Sequence, residues 1–150
     1  MVYFCLQQKI GTNMKYKCSI YHPESPEPEV LKIKLEKDQV KDKVNNYPWE
    51  AELAKMTSLN ADDVYCDPAL EFEQETGGFG FCLRAIGKPE KYRLSVWYLY
   101  PRRRKILFGL LSVTEKPWLK KEYPPERALN LLDLFLDMKY DLLLSEMGKY

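Results

Sequence analysis

The chain has 150 residues, with 23 Lys and Arg against 22 Asp and Glu, 45% hydrophobic and 30% charged residues, and 4 cysteines. A chain of this length buries about 70% of the surface that its unfolded form exposes, so one hydrophobic core over residues 1–150 suffices and disorder is not expected. The net charge of +1 supplies no global field for polyanions or anionic membranes, and any electrostatic function has to come from charge segregated along the surface.

Val2 to Leu6 is apolar, and after Gly11-Thr12-Asn13 the segment Met14 to Ile20 alternates with a period of two, which predicts a β-hairpin. The prolines and glutamates between His22 and Glu29 predict a solvated loop, since proline removes a backbone donor and fixes φ. Leu31, Ile33 and Leu35 against Lys32 and Lys34 predict a third strand over 30–35 with one wet face. Pro48 then opens a helix over 49–56 with Trp49, Leu53 and Met56 on one side. Leu70 and Phe72 alternate with Glu71 and Glu73 before Gly77-Gly78. Three strand-length runs follow, at 79–86, 92–100 and 105–113, and their short connections predict an antiparallel meander. Pro124-Pro125 opens a terminal helix over 126–147, stopped by Gly148, whose leucine-rich stripe is wide enough to cover a sheet. The expected class is α+β: a mostly antiparallel sheet built from an N-terminal hairpin and a C-terminal meander, a helical middle, and a long C-terminal helix on one face.

No apolar run approaches the roughly 20 residues that span a bilayer, and the N-terminus has no basic region ahead of its apolar patch, so a cytoplasmic location without membrane contact is expected. His22 is the sole histidine, which restricts nucleophile and base chemistry. Cys18 and His22 share a strand face but would stand roughly 13 Å apart on a straight strand at 3.3 Å per residue. The scattered cysteines read as core thiols, no zinc-ligand spacing occurs, and Gly77-Gly78-Phe79-Gly80 reads as a turn without the lysine of a phosphate loop. No catalytic residue, metal or cofactor is expected.

Charge, by contrast, is strongly segregated. Asp62, Asp63, Asp67, Glu71, Glu73 and Glu75 lie in a stretch without one base, and Asp133, Asp137 and Asp141 recur at helical spacing. Like charges at i, i+4 repel by a few tenths of a kcal/mol, so neighbouring bases or a cationic partner should compensate them. Arg102, Arg103, Arg104 and Lys105 follow Trp97-Tyr98-Leu99-Tyr100, at the tip of an expected hairpin. Tyr98 and Tyr100 with these four bases form the alternative, a nucleic-acid surface over 92–105, against which the neutral total charge argues. A small hydrolase or ligand-binding protein using carboxylates is a third reading.

In overall character, carried by Trp97-Tyr98-Leu99-Tyr100 ahead of a hairpin and by the leucine-rich helix from Ala128 to Leu144, the chain resembles the small immunity proteins that bacteria encode beside toxins. The resemblance implies a non-enzymatic domain that occludes the active site of a cognate protein toxin. A basic nuclease would meet the acidic residues 62–75 or 133–141 by charge complementarity.

Overall fold

Alternating segments and longer apolar runs form the main strands, and with the helices they give the α+β fold that the sequence predicts. The computed structural model describes residues 14–148. The strands are β1 (Tyr16–Tyr21), β2 (Glu29–Val30), β3 (Ala69–Gln74), β4 (Gly80–Lys88), β5 (Lys91–Leu99), β6 (Arg102–Ile106), β7 (Leu111–Glu115) and β8 (Trp118–Tyr123). The helices are α1 (Lys37–Asn45), α2 (Trp49–Ser58), α3 (Pro125–Leu136) and α4 (Tyr140–Gly148), with a 3₁₀ turn at Ala61–Asp63. Six strands form one antiparallel sheet in the order β2-β1-β3-β4-β5-β8, and β6 and β7 form a separate hairpin.

Register decides which side chains share a face. Cys18 opposes Phe72, Phe72 opposes Phe81, Phe81 opposes Tyr98 and Tyr98 opposes Leu119, so one face is a continuous apolar surface. Helix α3 lies on β4, β5 and β8 and contributes Leu131, Leu132 and Phe135, while α2 packs on β4 through Leu53. Phe135 sits at the centre, with Phe81, Tyr16, Tyr98 and Tyr140 at ring-centroid distances of 5.2, 5.8, 6.3 and 6.4 Å. The opposite face carries Tyr21, Glu71, Cys82, Arg84, Ser95, Trp97 and Lys120, and no helix of the described residues packs there.

Several boundaries depart from the sequence reading. The first strand of the expected N-terminal hairpin, Val2 to Leu6, lies outside the described residues. The expected strand at 30–35 survives only as Glu29–Val30 and a single bridge from Leu35 to Tyr16, and Ile33 is exposed. Helix α1 was not expected. It is held by a reciprocal cap between Glu36 and Gln39 and buries only Val40 and Val44. The meander's third strand is β8 and not 105–113, which folds back on itself as the β6–β7 hairpin with its turn at 107–110.

The terminal helix is two helices. At the end of α3 the Met138 amide donates to the Phe135 carbonyl and the Lys139 amide to the Leu134 carbonyl, with Met138 at φ 59°. This is a Schellman turn in which methionine occupies the left-handed position usually held by glycine.

Gly87 stands at φ +94° beside the β4–β5 turn, where an added Cβ would meet only ordinary contacts, the nearest being the Lys91 carbonyl oxygen at 3.5 Å. Gly87→Ala is therefore expected to destabilise by about 1–2 kcal/mol through backbone strain alone, with Gly87→Asn costing less. Denaturant unfolding of both variants checks this.

Candidate functional site

Pro101 and Pro117 end the flanking strands β5 and β8, and between them the chain leaves the sheet as the β6–β7 hairpin. Arg102 opposes Glu115, Arg104 opposes Val113 and Ile106 opposes Leu111, so one face of the hairpin runs from charged at its root to apolar at its tip. Arg103 and Lys105, opposite Thr114 and Ser112, occupy the other face. The apolar residues are not covered. Phe108 is 106% exposed and Leu110 84%, and Leu107, Leu111 and Val113 are exposed too. The turn is strained as well, because Leu107 and Phe108 have φ of 52° and 56°, a region costly to residues with a side chain.

Arg102 donates to Glu115 Oε2 at 3.1 Å and Arg104 to Oε1 at 3.3 Å. The Arg102 hydrogen bonds, together with Arg104, hold the Glu115 carboxyl below the usual range. Five bases stand against this one acid between residues 102 and 116, so the hairpin remains cationic. At its root Tyr100, Arg102 and Asp141, drawn from both expected sets, line a cleft of about 490 Å³ with Phe79, Tyr140 and Leu144.

The expected acidic surface is divided. Lys37 donates to Asp137, and Lys41 reaches Asp133 at 3.1 Å, so α1 supplies the compensating bases. The hydrogen bond to Asp133 raises the Lys41 pKa. The turn at Met138 places Asp141 on α4, and the three aspartates do not form one stripe. Glu75 accepts from Lys34 at 2.6 Å, and this hydrogen bond lowers its pKa. Glu71 accepts from the Tyr21 hydroxyl at 3.1 Å, and with Glu73 it lies on the helix-free face of the sheet. Asp62 and Asp63 are exposed in the 3₁₀ turn, and Asp67 is half-buried ahead of β3.

The expected stacking surface is corrected. Tyr98 is 1% exposed and belongs to the core, Tyr100 is half-buried against it, and Arg102 to Lys105 form a strand and not a hairpin tip. Of Trp97, Tyr98 and Tyr100, it is the half-buried Trp97 that lies on the sheet face without a helix. Arg84 lies 4.8 Å and Lys120 4.6 Å from its ring centroid, and its indole N–H donates to Ser95. Lys120 was not singled out in sequence, because β8 itself was not foreseen.

Among the described residues, the thiols of Cys18 and Cys82 are buried in the sheet. Burial pushes the Cys18 thiol up to about 11 and Cys82 up to about 12, which suppresses the thiolate needed for nucleophilic attack. Cys66 Sγ donates to the His22 carbonyl at 3.3 Å. The His22 ring bonds Glu29 Oε2 through Nε2 at 2.9 Å and faces Glu52 Oε2 through Nδ1 at 3.7 Å. Ligand atoms of His22, Glu24 and Glu52 all lie within 4.8 Å of one another, making this the one group among the described residues arranged to hold a metal ion. A cavity of about 550 Å³ adjoins them, lined also by Tyr47, Asp42 and Lys43.

Compared with known protein families, curated proteins and solved structures, the chain matches none. Among the described residues no helix is long and apolar enough to cross a membrane.

Proposed function

We propose that this is a non-enzymatic protein-binding domain of the toxin-immunity kind, which neutralises a cognate toxin by seating the β6–β7 hairpin across its active site. The supporting observation is the hairpin itself: Leu107, Phe108, Leu110 and Leu111 are all more than half exposed at the end of a cationic stem. An isolated two-stranded hairpin gains little stability from leaving such residues in water, whereas apolar anchors entering a partner's pocket dominate binding energy. Strain retained at Leu107 and Phe108 points the same way, since left-handed non-glycine residues cluster at binding elements. Glu73 and Asp141, which have no ion pair among the described residues, lie at the end of the sheet from which the hairpin leaves and would add charge complementarity to basic groups of the toxin beside the hairpin, whereas Asp62 and Asp67 precede the other end of β3.

Co-expression with the product of the adjacent reading frame tests this. Relief of toxicity together with a co-purifying complex is expected, and the absence of both overturns the reading.

A further inference from the structure

Besides its hairpin, the protein carries a cluster of ionisable groups at the end of β1, and its geometry points to a site for a divalent cation of the zinc type, ligated by His22 Nδ1, Glu52 and Glu24. Three elements build it. His22 follows β1, Glu24 lies in the proline-rich loop and Glu52 projects from α2.

A carboxylate only accepts hydrogen bonds, so the 2.9 Å contact fixes His22 Nε2 as the donor to Glu29 Oε2. In the neutral ring Nδ1 then presents a lone pair toward Glu52 Oε2, 3.7 Å away. That separation is too long for a hydrogen bond. Among the described residues Glu52 Oε2 is buried with no hydrogen-bond partner, in a side chain only 13% exposed, and the nearby Tyr47 hydroxyl is likewise buried without one. Two electron-pair donors thus face each other at 3.7 Å, an arrangement that a metal ion satisfies.

The surroundings have the form that metal ligands require. A ligating histidine commonly donates its second ring N–H to a carboxylate, and ligating carboxylates are themselves hydrogen-bonded. Glu29 fills the first role. Lys55 fills the second, reaching Oε1 of Glu24 at 3.0 Å and Oε1 of Glu52 at 3.6 Å while Glu52 Oε2 stays turned to His22. Glu24, Glu29 and Glu52 against Lys55 leave two negative charges beside the imidazole ring, the charge that a divalent ion balances. The more exposed Glu24 supplies the small inward movement that closes bonds of about 2.0–2.2 Å around a tetrahedral ion. One imidazole with carboxylates suits Zn²⁺ better than Mg²⁺ or Ca²⁺, which favour all-oxygen sets. The fourth position opens on the cavity lined by Tyr47, Asp42 and Lys43.

The full chain, stripped with a chelator, is titrated with Zn²⁺ by calorimetry and with Co²⁺ by visible absorption. One ion per chain is expected, with a tetrahedral Co²⁺ spectrum free of thiolate charge transfer and no displacement by excess Mg²⁺. His22→Ala and Glu52→Gln, checked for unchanged folding by circular dichroism, should abolish binding. Glu29→Gln should retain the site with about 10–100-fold weaker affinity. Lack of stoichiometric binding, a thiolate band, displacement by Mg²⁺, or binding unchanged in His22→Ala and Glu52→Gln would each overturn the assignment. Because the readout is the metal itself, it is independent of any toxin partner.

Discussion

Replacing Phe135 with alanine is expected to lower the free energy of unfolding by about 3–5 kcal/mol, a large share of the 5–15 kcal/mol typical of a whole domain. Phe135 is fully buried and touches aromatic rings from β1, β4, β5 and the start of α4. Removing the ring subtracts its transfer free energy and leaves a cavity. Tyr16, Phe81 and Tyr98 are anchored in strands and Tyr140 stacks on Phe79 at 3.9 Å, so none can collapse into it. Phe135→Leu, which preserves most of the volume, should lose less than half as much. Urea unfolding with an unchanged denaturant slope checks both variants, and a loss below about 1 kcal/mol for Phe135→Ala would mean that the helix layer does not depend on this ring.

The second large effect concerns binding rather than folding. Phe108→Ser combined with Leu110→Ser is expected to weaken the proposed complex with a toxin by at least about 2 kcal/mol, roughly thirtyfold, and to remove the protection proposed for co-expression. Stability should change by no more than about 0.5 kcal/mol, because both side chains already stand in water. Arg103→Ala should act differently. Its guanidinium has no hydrogen bond among the described residues, so its loss should mainly slow association and reduce the salt dependence. Full protection by the double variant, with the protein folded, would assign recognition to another surface. Thermal melts and calorimetric titration separate the two outcomes.

Much of the sheet was legible because β1 and β3 alternate apolar with polar residues, while β4 and β5 are strand-length runs set off by Gly- and Pro-containing connections. β3, β4 and β5 start and stop within a few residues of the expected runs, and Trp49 to Met56 announces α2 with a proline and an apolar face. What escaped had physical reasons. Helix α1 has two buried residues among many charges, too few to register as a period of 3.6. The run 105–113 looks like one strand because its bend uses Leu107 and Phe108 in left-handed conformations, and neither residue is a turn former. The terminal helix looks unbroken because its Schellman turn carries Met138 where glycine is usual. Charge identity was equally plain in the sequence, and charge pairing was not. Lys37 neutralises Asp137 from 100 residues away, and only the docking of α1 beside α3 makes that contact. The cluster around His22 depended likewise on α2 reaching the end of β1.

Leu99 and Trp118 are paired neighbours across β5 and β8, so the two ends of the hairpin segment meet at adjacent rungs of the sheet. The segment 100–117 is thus an insertion whose removal leaves a gap that a short turn can bridge, and loop-closure entropy changes only slowly with its length. The sheet and helices can stay constant while this segment is lengthened, shortened or exchanged, as a cassette. Selection on the hairpin therefore need not pass through selection on the core, and a chain built this way can change what its hairpin presents without relearning how to fold.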